Sequence, residues 1–226
     1  MTPPSSPTEP VSPFEPVEPT HPAAPAQPAG FARLKVRQKL TLMVNRYEVL
    51  QTDEAGNDLG LICFAEQKRM AFKEQVTFHT DAAKTHALFG FKARKVIDLG
   101  SGYDIVDGAG QPIGWFKKEF AASLARSTWR LGTPDGFECV GQERNAKVAV
   151  LRRVWDFIPL LNDLPVPWLF HFDFRAPDGS IVMSSTKKID FKDVYFIDLP
   201  AQPNGWRLDW RVAAAMAVAL DALQSR

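Results

Sequence analysis

The stretch Leu208-Asp209-Trp210-Arg211-Val212-Ala213-Ala214-Ala215-Met216-Ala217-Val218-Ala219-Leu220-Asp221-Ala222-Leu223-Gln224 decides the fold. Its apolar residues fall on every side of a helix, so no face is left for water and the helix must be enclosed. At 1.5 Å per residue it is about 25 Å long, short of a ~30 Å hydrocarbon core. Arg211 and Asp221 also interrupt it near both ends, so a buried core helix is expected, not a membrane span. The alanines at 213, 214, 215, 217 and 219 keep it slim enough for surrounding strands to approach closely.

What surrounds the helix is read from a motif that recurs. Tyr47-Glu48-Val49-Leu50 leads through Asp53-Glu54-Ala55-Gly56-Asn57 to Leu59-Gly60, and Tyr103-Asp104-Ile105-Val106 leads through Asp107-Gly108-Ala109-Gly110 to Ile113-Gly114. A looser copy runs from Phe172-Asp173-Phe174 through Pro177-Asp178-Gly179 to Ile181-Val182. Alternating apolar and polar residues, an Asp/Gly turn and a second apolar stretch are the marks of a β-hairpin. Further strand-like runs cover Leu40 to Val44, Val76 to His79, Arg94 to Leu99, Trp115 to Phe120, Ser127 to Leu131 and Val194 to Leu199. The segment Asn145 to Phe157 has helical spacing at Val148, Leu151, Val154 and Trp155 and is read as a helix. About ten to twelve short strands therefore precede one apolar helix. A sheet closed into a barrel removes its edges and creates an interior for that helix.

The chain divides near residue 30. Ten of the eighteen prolines precede that point, nine of them on every third position from Pro4 to Pro28. That period matches polyproline II, and with Phe14 as its only aromatic the segment has no core to build. Residues 1–30 are expected as a disordered Pro-rich spacer and residues 31–226 as one β-barrel domain. Glu9, Glu15 and Glu18 give the tail −3, which leaves +4 on the remainder of a chain of net charge +1. Cys63 and Cys139, in no C-x-x-C spacing, read as two reduced, buried thiols. With no basic start followed by an apolar run, a cytoplasmic location is expected, peripheral to the inner membrane face if lipid is bound.

The hairpin Tyr103 to Gly114, Arg126-Ser127-Thr128-Trp129, His171-Phe172-Asp173-Phe174 with Asp178-Gly179, and Asp209-Trp210-Arg211 leading into Ala215 to Leu223 occur in an order similar to one family. Over about residues 32 to 226 the chain resembles the tubby C-terminal-like superfamily, in the branch of phospholipid scramblase-like and LURP-one-related proteins. The resemblance implies a mainly β fold, a closed antiparallel barrel of about twelve strands enclosing a hydrophobic C-terminal helix. It also implies a non-enzymatic module, with phosphoinositide binding as in tubby proteins. Scramblases carry cysteine clusters and an acidic calcium segment. This chain has two cysteines, and Asp190, Asp193 and Asp198 lie among Lys187, Lys188 and Lys192, so calcium-driven lipid transport is not carried over.

In an extended strand Arg33, Lys35, Arg37 and Lys39 point to one side. Such a stripe, joined by Lys92, Arg94 and Lys95, is the candidate site for anionic phospholipid head groups. The competing reading is a solvated edge strand guarded by its charges. A third basic cluster is Lys187, Lys188 and Lys192. His79, His86 and His171 have no metal-ligand spacing, Gly100-Ser101-Gly102 and Gly108-Ala109-Gly110 open no helix, and no serine or cysteine sits in a nucleophile motif. No catalytic residue, metal or cofactor is expected. The tryptophans read as core filling, and +4 is slight for a nucleic-acid binder. A protein-interaction module, or a small-ligand carrier or enzyme with a pocket at the barrel mouth, stands as the alternative.

Overall fold

The computed structural model describes residues 31–40, 44–68, 75–94, 102–119, 127–144, 171–188 and 194–224. The strands run in order as β1 (Arg33–Leu40), β2 (Val44–Thr52), β3 (Asp58–Lys68), β4 (Gln75–His79), β5 (Ala87–Ala93) and β6 (Tyr103–Asp107). They continue as β7 (Pro112–Lys118), β8 (Thr128–Gly132), β9 (Glu138–Glu143), β10 (His171–Arg175), β11 (Ile181–Lys188) and β12 (Val194–Asp198), followed by α1 (Trp210–Gln224). Each strand pairs antiparallel with its chain neighbours, and β12 returns to β1, with Leu34 opposite Ile197 and Val36 opposite Tyr195. The sheet is a closed barrel of twelve strands.

The three hairpins of the sequence are β2–β3, β6–β7 and β10–β11, recurring every fourth strand of one barrel. Their turns share one chemistry. The Asp107 carboxylate accepts from the Ala109 and Gln111 backbone N–H groups at 2.9 Å each, and Gly110 closes the turn at φ 81°, a conformation that L side chains rarely adopt. Asp178 does the same for Ser180, with Gly179 at φ 87°.

Inward positions alternate along each strand and are apolar: Leu34 and Val36, Tyr47 and Val49, Phe89 and Phe91, Phe172 and Phe174 are all buried. They close on α1, whose residues from Val212 to Ala219 are at most 1% exposed. At Gly114 an added Cβ would lie 3.0 Å from a Val212 methyl, so strand and helix touch where both side chains are small. Asp209 starts the helix: its carboxylate accepts from the Arg211 N–H at 2.8 Å and its carbonyl from the Ala213 N–H at 3.1 Å. At the other end the buried Asp221 carboxylate accepts from the Tyr47 hydroxyl at 3.0 Å and from the Tyr195 hydroxyl. A buried carboxylate near a helix C-terminus is doubly unfavourable, so these hydroxyls hold a group that would otherwise destabilise the core. Burial, then Asp221, pushes the Tyr47 phenol well above its ordinary range.

Some expected elements differ. Of the expected run Leu40 to Val44, Leu40 ends β1 and Val44 opens β2, and residues 41–43 lie outside the described residues. Strands β5 and β9 were not expected at all. Residues 1–30, residues 95–99 of the expected Arg94 to Leu99 run, and the 145–157 helix lie outside the described residues.

Candidate functional site

Arg33, Lys35, Arg37 and Lys39 do share the outer face of β1. The strand is not an edge, because β12 and β2 flank it, so the guarded-edge reading fails. The stripe is also not a bare row of cations. Lys35 Nζ donates to Asp58 at 2.8 Å and Arg37 to Asp58 at 2.7 Å, while Lys39 is paired with Glu48 and Arg33 with Asp198. Lys35 and Arg37 hold the Asp58 carboxyl below its usual range. Across β12 the ring of Phe196 faces outward under three cations, with Lys188 Nζ 4.7 Å, Lys35 Nζ 5.7 Å and Arg33 Cζ 6.0 Å from its centroid. The wall of β1 is thus joined by the third basic cluster through Lys188. Lys92 and Arg94 of the second cluster lie four strands away, beyond β2, β3 and β4.

The second cluster and the C-terminal end of β1 lie on the same rim of the barrel. Antiparallel order puts the C-terminal end of odd-numbered strands and the N-terminal end of even-numbered ones on one rim. Lys39, Arg46, Lys92 and Arg94 reach that rim from β1, β2 and β5, and Lys117, Lys118, Arg144, Lys187 and Lys188 reach it from β7, β9 and β11. Lys39 and Arg46 stand directly opposite each other in the ladder, a like-charge pair that opposes folding. Glu48 and Glu66 flank them, Arg46 reaching Glu66 at 3.3 Å. Arg94 pairs with Asp104 at 2.8 Å, and Lys92 is exposed. Lys95 and Lys192 lie outside the described residues. The opposite rim carries Asp53, Asp81, Asp107, Asp135 and Asp178, each accepting from backbone N–H groups of its own turn. Turn geometry accounts for the acidic rim. The cations of the other rim pair instead with carboxylates, Arg46 with Glu66, Arg94 with Asp104 and Arg144 with Asp173.

The remaining candidates separate. His79 is on β4, His86 in the exposed loop after it and His171 on β10, and no metal-binding group of three side chains forms among the described residues. Burial, then Arg144, lowers the His171 pKa. Cys63 and Cys139 are free and buried. Burial and then Glu138 push the Cys139 thiol up to about 12, far from a nucleophilic thiolate. The barrel lumen holds α1. Outside it, a cleft of about 740 Å³ at the acidic rim is lined by Arg33, Glu54, Asp198, Leu199 and Arg207. It brings together no histidine, and its Asp198 is already paired with Arg33.

A family model for LURP-one-related domains matches residues 61–221. The chain belongs to the LURP-one-related family. That family lies in the tubby-like superfamily, is generally non-enzymatic and suggests a binding module. The match begins inside β3, so β1 and β2 of this LURP-one-related barrel, with Arg33, Lys35, Arg37 and Lys39, precede it. No curated protein matches the chain. Among the described residues no helix is long and apolar enough to cross a membrane.

Proposed function

We propose that this barrel is a non-enzymatic binding module whose basic rim contacts anionic phospholipid head groups, with the β1 wall as its flank. The observation that carries the reading is the separation of charge between the two rims. The acids of one rim sit where turns need them, whereas Lys39, Lys92 and Arg94 sit at strand ends on the other, Lys39 and Arg94 there paired with Glu48 and Asp104. Each basic residue near an anionic surface contributes about 1 kcal/mol. An exposed ion pair contributes about 0.2 to 1 kcal/mol, so pairs such as Lys39 with Glu48 can be exchanged for phosphate contacts.

The test is co-sedimentation of the full chain with neutral and with phosphoinositide-containing liposomes. The wild type should partition to the anionic vesicles at low salt and be released as salt rises. Changing Lys39, Lys92 and Arg94 to Gln should weaken binding more than changing Arg33, Lys35 and Arg37, whose side chains on the wall are less exposed than those of Lys39 and Arg94. Equal partitioning of all three proteins, or none at low salt, would overturn the reading.

A further inference from the structure

The hairpin β2–β3 is longer than the wall it belongs to. Strand β2 accompanies β3 from Lys68 back to Asp58, but on its other side β3 pairs with β4 only at Phe64 and Ala65. Among the described residues Asp58 to Cys63 therefore offer a run of backbone donors and acceptors that no neighbouring strand uses. Leu59 and Leu61 on this arm are 59% and 50% exposed and are the most exposed large apolar side chains described. Soluble proteins ordinarily guard such an edge with Lys, Pro or a covering loop. This one presents Leu-Gly-Leu.

Gly60 adds an independent sign. Every other described glycine has a reason within the fold, either a positive φ or atoms that a Cβ would meet within 4 Å. Gly60 has neither. Gly60 lies between two register shifts of the β2–β3 ladder, and a strand glycine with open space over it marks such a bulge or a place where another backbone comes close.

We infer that the free edge of β3 pairs antiparallel with the same edge of a second copy of this chain, about a two-fold axis at Gly60. The sequence is self-complementary in that register. Leu59 meets the second copy's Leu61, Gly60 meets Gly60, and Asp58 meets Ile62, all within the stretch that β4 leaves open. A two-fold contact uses both edges at once, so it closes as a dimer and does not propagate into a fibre. The contact is short compared with the roughly 800 Å² per partner of a stable interface, so the dimer is reversible and depends on concentration. It lies on the acidic rim, away from Lys39 and Lys92, so it stands independently of the lipid reading.

Sedimentation velocity on the full chain between about 1 μM and 1 mM spans the affinities expected of such an interface. The wild type should shift from one copy to two across that range. Leu59→Lys with Leu61→Lys should remain a single copy throughout with an unchanged melting temperature, both side chains being exposed in the monomer. In the proposed register the two Gly60 Cα atoms are about 4.5 to 5.5 Å apart, within disulfide reach. Gly60→Cys should therefore cross-link the dimer under mild oxidation, whereas Val140→Cys, exposed on β9, should not. A chain that stays single at every concentration would overturn the inference. So would a dimer that survives the double lysine change, or one that Val140→Cys traps and Gly60→Cys does not.

Discussion

Val218 is fully buried in α1, surrounded by barrel wall on every side. A carboxylate there would have no partner and no water, at a cost of several kcal/mol, comparable with the stability of a whole domain. Val218→Asp is expected to abolish cooperative melting, read by circular dichroism, whereas Val218→Ala should leave a folded, weaker protein. Gly141 shows a second kind of constraint. An added Cβ would run into the ring of Phe174 on the next strand, so Gly141→Ala should cost about 1 to 3 kcal/mol by overpacking. Trimming the ring in a Gly141→Ala, Phe174→Leu double variant should recover part of that loss in denaturant titrations. The enclosed helix was legible from residues alone, because an apolar surface all round has one physical solution. The role of Gly141 was not, because its reason lies on β10, about thirty residues along the chain and adjacent only after the barrel closes.

Strands β5 and β9 explain where the reading of elements stops. Ala87-Leu88-Phe89-Gly90-Phe91-Lys92-Ala93 does not alternate cleanly, since Gly90 faces outward where a Cβ would meet the Val76 carbonyl at 2.8 Å. In Glu138-Cys139-Val140-Gly141-Gln142-Glu143 the inward positions are Cys139, Gly141 and Glu143, so Val140 faces out, Glu143 faces in and the apolar alternation is blurred. The three hairpins with alternating arms are legible because turn chemistry is local; β9 is not, although Asp135 and Gly136 make the same turn before it, because its arm lacks the alternation. On β1 the alternation was read correctly, but the carboxylates that answer its cations come from β2, β3 and β12. That ladder carries a pH dependence. Lys35 and then Arg37 hold the folded Asp58 pKa below its unfolded value, so the stabilisation is present above about pH 4 and is lost as pH falls through the depressed value. Denaturant midpoints measured from neutral pH downward should fall in that acid window. Asp58→Asn should flatten the fall by an amount below about 1 kcal/mol, as befits a partly exposed pair.

At the scale of the molecule, charge along the chain gives little away, since the cations and acids alternate every few residues and nearly cancel. Only the antiparallel order sorts them, sending strand ends with Lys and Arg to one rim and Asp-bearing turns to the other. The sequence groups Arg33, Lys35, Arg37 and Lys39 with Lys92, Arg94 and Lys95, whereas in the fold Lys39, Lys92 and Arg94 lie at strand ends on one rim, Arg33, Lys35 and Arg37 lie along the wall and Lys95 lies outside the described residues. The same closure sets how much chain the fold needs at its start. β1 pairs on both sides and buries Leu34 and Val36 against α1, so the barrel cannot close without it, although the family match begins only at residue 61. Residues 1–30, with a proline every third position and no hydrophobic period, have nothing to bury. Removing residues 1–30 should leave the melting temperature nearly unchanged, and removing residues 1–40 should abolish cooperative melting. Calorimetry on the two truncations separates the cases. A drop of about 5 °C or more on removing residues 1–30, worth roughly 1 to 2 kcal/mol for a domain of this size, would mean that the proline segment docks on the barrel.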